Sequence, residues 1–201
     1  LNYIKKGPGV HEVDPLGSLR RQVATIGDLD FAASAKDPKV VVDYFIKMPG
    51  VTRVMNQGEN MAQVMLHSGL HVDLLVGVPE SYGALLQHFT GGKNHNIKLR
   101  TYAVKHGLSL NEDGVKNIKT GKFVPTKTEE DFYKLLKMDT PVPEMREDNG
   151  EIEAALDHKL PDLVELNPGI RSILPPSIPL TAPPEAPYIF KNAASTIPAS
   201  P

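Results

Sequence analysis

The 201-residue chain contains no cysteine and no tryptophan. Without cysteine there can be no disulfide framework, no thiolate zinc site and no thiol nucleophile, which leaves oxygen atoms as the natural metal donors. That usage suits a cytoplasmic protein. No run approaches the roughly 20 apolar residues needed to cross a bilayer, and the opening LNYIKKGPGV lacks the apolar core of a signal peptide, so no membrane partner is expected. An excess of charge is absent too: 22 Lys and Arg face 24 Asp and Glu. No global field therefore draws the chain to nucleic acid, and any such affinity has to be local. The seven histidines are scattered without ligand spacing, which argues against zinc. A lone Gly7-Pro8-Gly9 is too little for a phosphate loop of the Walker type. The chain begins at Leu1 rather than Met, as expected of one that starts within a longer protein.

Proline, by contrast, is unevenly plentiful. Ten of the 18 lie between Pro161 and Pro201, and each removes a backbone donor. Residues 161–201 are accordingly expected to be an irregular, disordered tail. Before them the pattern is α+β, a sheet with helices on one side. IGDLDFAAS reads as a strand with Asp28 and Asp30 on one face and Leu29 and Phe31 on the other. DPKVVVDYFIKM reads as a helix capped by Asp37 with Pro38 at its first position, running to about Met48. VTRVMNQGENMAQVML reads as a hairpin turning at 57–60, and GLHVDLLVGV as a strand carrying Asp73 and Leu75 opposite Val72, Leu74 and Val76. Two helices follow, SYGALLQHF and HNIKLRTYAVKHG, divided by Thr90–Lys93 and closed by Gly107. LSLNEDG is a short strand, and Thr128 opens a helix with acidic residues in its first turn. The expected division is 1–90, 91–160 and the tail.

Three features of this layout carry chemistry. Two carboxylates one residue apart on a strand repel unless a cation lies between them. Joined by Asp73 from a neighbouring strand, Asp28 and Asp30 make a hard-oxygen cage suited to Mg²⁺ or Mn²⁺. Mg²⁺ commonly shares its shell with substrate phosphates, and two such ions organise in-line displacement at phosphorus. Just upstream, Gly17 lets backbone approach an anion, Ser18 offers a hydroxyl, and an arginine offers a bidentate fork to phosphate. A basic helix carrying Lys93, Lys98, Arg100 and Lys105 could follow a nucleic-acid backbone. Each feature alone has an ordinary reading, as strand polarity, a turn or a solvated helix face. Their conjunction points to nucleotidyl transfer.

GSLRRQVATIGDLD, HVDLLV, HFTGGKNHNIKLRTYAVKHGLSLNEDG and PVPEMREDNGEIEAAL occur in the order and approximate spacing of the family X DNA polymerases, relatives of DNA polymerase beta. The resemblance is strongest to the bacterial and archaeal branch and covers residues 10–166. It implies a fragment with a nucleotidyltransferase palm followed by a small α/β, thumb-like subdomain that closes over the nascent base pair. Asp28 and Asp30 would ligate both metal ions, and Asp73 would hold the catalytic ion and help activate the primer 3′-hydroxyl. Gly17, Ser18, Arg21 and Gly27 would contact the incoming triphosphate, Phe89 and Gly91 the sugar and the hinge, and Asn96 the incoming base. Lys93, Lys98, Arg100 and Glu112 would serve the DNA, with Asn111 and Glu112 supporting Arg100 in the closed form; Arg20 would be structural. The implied task is gap filling in base excision repair by a monomer. The alternatives are another nucleotidyltransferase of the superfamily or an inactive DNA-binding fragment. The chain departs from the family pattern at His88, where tyrosine is usual, at Asp113, which replaces an aromatic, and at Leu75, where arginine is typical. Asp14 and Pro15 are also unexpected at a sheet edge. Bacterial members commonly continue into a metal-dependent phosphoesterase domain, where this chain has NPGIRSILPPSIPL.

Overall fold

Strand β1 (Val10–Pro15) forms one edge of a five-stranded sheet and pairs antiparallel with β2 (Leu29–Ala35). Its proline stands at the last position, where a missing donor costs the ladder nothing. The computed structural model describes residues 1–161; the Pro-rich tail lies outside the described residues but for Pro161. Between β1 and β2 sits a one-turn helix, α1 (Gly17–Arg20). Helix α2 (Pro38–Phe45) begins as expected, with the Asp37 carboxylate accepting from the Val40 amide. It ends earlier than expected, at Phe45, because the following residues tighten into i→i+3 bonds ahead of Pro49 and Gly50. Strands β3 (Val51–Gln57) and β4 (Met61–Leu66) form the hairpin, and β5 (His71–Gly77) lies between β4 and β2.

The sheet order is β1-β2-β5-β4-β3, with β2 and β5 parallel and the remaining pairs antiparallel. The mixed sheet bears out the α+β reading, but the helices do not all lie on one side. Phe31, Ala33, Val72, Leu74 and Val76 pack beneath Val41, Val42 and Phe45 of α2. On the opposite face, Ala32 and Leu75 pack with Leu16 and with Tyr82, Leu85 and Leu86 of α3 (Tyr82–Thr90). The small-residue run Ala32 to Ala35 is buried throughout, as a strand paired on both sides and covered on both faces must be. A reading by alternation cannot see this.

Helix α3 serves two cores. Its Ala84 turns away from the sheet and joins a second cluster with Leu99, Ala103, Val115, Phe132, Tyr133 and Ile152. These come from α4 (Lys93–Lys105), α5 (Glu129–Leu135), α6 (Glu151–Leu156) and a three-stranded antiparallel sheet of β6 (Leu108–Asn111), β7 (Gly114–Asn117) and β8 (Phe123–Val124). Gly107, at φ +79°, closes α4, and Thr128 forms a capping box with Asp131 at the start of α5. Gly83 lets α3 press on that cap: a Cβ there would stand 2.0 Å from the Thr128 carbonyl oxygen. Residues 1–161 form one compact unit. Among the described residues no helix is long and apolar enough to cross a membrane.

Candidate nucleotide and metal site

Strand pairing sets two of the three carboxylates side by side. Asp30 and Asp73 are Cα partners across the parallel β2–β5 pair, on the face that α3 covers further along the strands. Asp28 lies just ahead of β2, which begins at Leu29 rather than before Asp28, and it is exposed. Burial, then the charges of Asp28 and Asp73, push the Asp30 carboxyl above the ordinary aspartate range. Mutual repulsion of this kind is what a cation would relieve. Asp73 is steadied from its other side, since Gln63, its Cα partner on β4, donates to Oδ2 at 2.7 Å.

Gly17 is required where it stands. The Leu16 amide donates to the Asp30 carbonyl at 2.8 Å, bringing the α1 turn against β2. Gly17 has φ +52°, and a Cβ would lie 2.5 Å from Asp30 Oδ2. Only glycine accommodates both the left-handed backbone and the carboxylate beside it. Ser18 is half-buried on the same turn, and Gly27 is exposed with open space around it.

The two arginines of α1 and its cap divide sharply. Arg20 donates to Thr90 Oγ1 at 2.7 Å and to Glu129 Oε2 at 2.6 Å. The other Glu129 oxygen accepts from Arg146, whose side chain is 1% exposed. Burial pushes the Glu129 carboxyl up, yet Arg146 and Arg20 outweigh it and hold that carboxyl below the ordinary glutamate range. Arg20 is thus structural, as expected. Arg21 donates from Nε to Glu147 Oε1 at 2.5 Å and from Nη1 to the Thr90 carbonyl at 2.7 Å.

Phe89 packs at the edge of the α3 core, its ring 4.8 Å from that of His88. Gly91 is hemmed in: a Cβ would meet Asn96 Oδ1 at 2.6 Å and His95 Cδ2 at 2.7 Å. Asn96 is occupied at both ends, accepting from Gln87 Nε2 at 2.8 Å and donating to the carbonyls of His88 at 2.7 Å and Gly91 at 3.0 Å. It braces the turn between α3 and α4 instead of extending outward. Beneath it, buried His95 bonds Glu151 Oε1 at 2.6 Å through Nδ1 and the Tyr133 hydroxyl at 3.3 Å through Nε2. A neutral ring that donates from Nδ1 and accepts at Nε2 satisfies both partners.

The basic helix is less free than its composition suggests. Lys93 and Arg100 are exposed, but Lys98 is paired with Asp148 at 3.1 Å and Glu153 at 2.7 Å. Arg100 donates to the Asn96 carbonyl of its own helix at 3.2 Å. Glu112 faces His88 across 4.0 Å, and Asn111 lies 3.5 Å from Asp113, so neither is paired with Arg100. Glu129, Arg146, Glu147, Thr90 and Gln63 are residues that sequence reasoning did not single out. Thr90, Arg146 and Glu147 lie within blocks that carry the family resemblance, with no role assigned to them there, while Glu129 and Gln63 lie in an ordinary acidic turn and a hairpin.

Residues 85–147 match the family model described as DNA polymerase beta thumb. Over 152 residues, 75% of the chain, the sequence is 33% identical to the DNA polymerase/3'-5' exonuclease PolX of Bacillus subtilis (strain 168). Both matches support a relationship to the family X DNA polymerases. It spans about a quarter, 26%, of the length of that curated relative. Two of the departures from the family pattern have structural accounts. Leu75, at the usual arginine position, is absorbed into the core beside α3. Asp14 on the edge strand accepts from the buried Tyr82 hydroxyl at 2.8 Å.

The donor set fits divalent magnesium or manganese in chemistry: three carboxylates, two on adjacent strands and Asp28 just ahead of β2, with charge to be neutralised. Among the described residues, no three His, Asp or Glu side chains are gathered closely enough to enclose an ion.

Proposed function

We propose that the chain is a DNA-directed DNA polymerase core that transfers a nucleoside monophosphate from a dNTP to a primer 3′-hydroxyl in gap filling during base excision repair. The observation that carries this reading is the pairing of Asp30 with Asp73 across parallel strands, with Asp28 within charge range and Gly17 pressed on Asp30. Residues 1–90 act as the nucleotidyltransferase palm and 91–160 as the thumb-like subdomain, acting on gapped or primer-template DNA. Asp28, Asp30 and Asp73 would hold two Mg²⁺ or Mn²⁺ ions. Such ions, when bound, neutralise the triphosphate and lower the pKa of the attacking hydroxyl.

The chain's own residues do the positioning. Gly17, Ser18 and Gly27 bring an open backbone to the triphosphate, and Arg21 supplies a fork for its oxygens. The 3′-oxygen bonds to the α-phosphorus as the bond to the β-phosphate bridging oxygen breaks, and pyrophosphate leaves. Asp73, held by Gln63, would help activate the primer 3′-hydroxyl. Phe89 and Gly91 face the sugar, Asn96 keeps the hinge in shape beside the base, and Lys93, Lys98, Arg100 and Glu112 serve the DNA.

The test is extension of a primer in a one-nucleotide gapped duplex with dNTPs and Mg²⁺ or Mn²⁺, beside Asp28→Asn. The expected outcome is templated addition by the parent chain and a loss of at least 100-fold in the variant, the scale of removing a preorganised electrostatic group. Equal extension by both would remove Asp28 from the metal site, and no extension by either would leave DNA binding as the function.

A further inference from the structure

Arg21 is the side chain that would grip a triphosphate, yet its fork already holds an anion, Glu147, together with the Thr90 carbonyl. The surroundings are shaped to admit that carboxylate. The Gly92 amide donates to the Arg146 carbonyl at 2.8 Å, and a Cβ at Gly92 would stand 2.9 Å from Glu147 Oε2. Next along the chain, Gln22 Nε2 donates to Glu144 Oε1 at 2.6 Å. Arg20, Arg21 and Gln22 therefore each meet a carboxylate supplied from more than a hundred residues away.

The three contacts differ in burial. The Glu129 side chain is 8% exposed and locked between two arginines, whereas Glu147 is 37% exposed. A carboxylate presents to a guanidinium the same charge and the same pair of oxygens as one edge of a phosphate. The pair with Glu147 is thus the one that water or another anion can open.

We propose that Glu147 is an internal stand-in for the triphosphate, holding Arg21 extended in the ligand-free protein and yielding it to phosphate oxygens on binding. Glu147 thereby sets the affinity for the polyphosphate, and binding releases residues 143–147 from α1. This rests on the reading of α1 and its cap as the triphosphate grip. A ligand that must displace an internal competitor binds more weakly by the reciprocal of the fraction of time the competitor is unseated. For a half-exposed ion pair that factor is about two- to fivefold.

The experiment is calorimetric titration of the full chain with inorganic tripolyphosphate in Mg²⁺, for the parent, Glu147→Gln, Arg21→Ala and the double variant. Glu147→Gln should bind about two- to fivefold more tightly with a melting midpoint no higher than the parent's. Arg21→Ala should lose binding, and the double variant should show no gain over it. A merely structural Glu147 would give unchanged or weaker binding in Glu147→Gln, and that result overturns the proposal while Arg21→Ala still loses binding. Parent-like binding by Arg21→Ala would instead sink the reading of α1 as the grip.

Discussion

Replacing Glu129 by alanine should destabilise the fold by about 3–5 kcal/mol, the cost of stranding one partner of a buried ion pair. The magnitude follows from what Arg146 would be left with. Its side chain is 1% exposed, and among the described residues it has, apart from Glu129, the Pro141 carbonyl at 2.9 Å and the Tyr133 ring 5.2 Å from its guanidinium carbon. A guanidinium cannot shed its proton to escape. Arg20, 16% exposed and still bonded to Thr90, reaches water more easily and adds little to the loss. For a unit of this size, 1 kcal/mol moves the melting midpoint by about 2–4 °C, so the midpoint should fall by about 6–20 °C. Urea unfolding with an unchanged slope would measure the free energy directly. The pH dependence adds a second check. Burial pushes the Glu129 carboxyl up, but Arg146 and Arg20 hold it below the ordinary glutamate range in the folded chain, so its contribution is present above that range and lost as pH falls through the folded value. The gap between parent and variant should be full at pH 7 and narrow below about pH 4.5. A loss under about 1 kcal/mol, which is the worth of an exposed pair, would refute the argument; so would a gap that widens in acid.

Other outcomes follow from the same geometry. Asp30→Asn should abolish nucleotide addition yet stabilise the metal-free chain at neutral pH, because the folded carboxyl titrates above its ordinary value and its ionised form is disfavoured. Parallel melts should then show Mg²⁺ raising the midpoint of the parent and not of the variant. Gly17→Ala should cost about 1–2 kcal/mol for its left-handed backbone alone. It should also reduce activity more than stability, since the new Cβ displaces the Asp30 carboxylate; primer extension beside urea unfolding would separate the two. Burial holds the His95 ring below its ordinary pKa against the pull of Glu151, so the neutral ring's contribution is lost as pH falls below about 6.5. His95→Gln should flatten that part of the stability profile between pH 7 and pH 5.

Local signals were legible wherever the interaction that made them spans a few residues. Asp37 before Pro38, Thr128 with its capping box, the 57–60 turn and Gly107 after α4 all form where the residues put them, because caps and turns are satisfied within one turn of chain. Asp30 and Asp73 could be placed on one side of their strands because side chains alternate with period two, and the family blocks pointed to the polymerase relatives that the comparisons support. That β2 lies parallel to β5 depends on a crossover through α2 and the β3–β4 hairpin, and only this pairing sets Asp30 beside Asp73. α2 covers one sheet face and α3 the other, and this second burial is what no alternation in Ala32 to Ala35 could announce. The two arginines looked alike in sequence; their fates were decided by Glu129 and Glu147, more than a hundred residues distant. Such partners are chosen by packing, since a charge taken out of water must find its counter-charge wherever the folded chain delivers it.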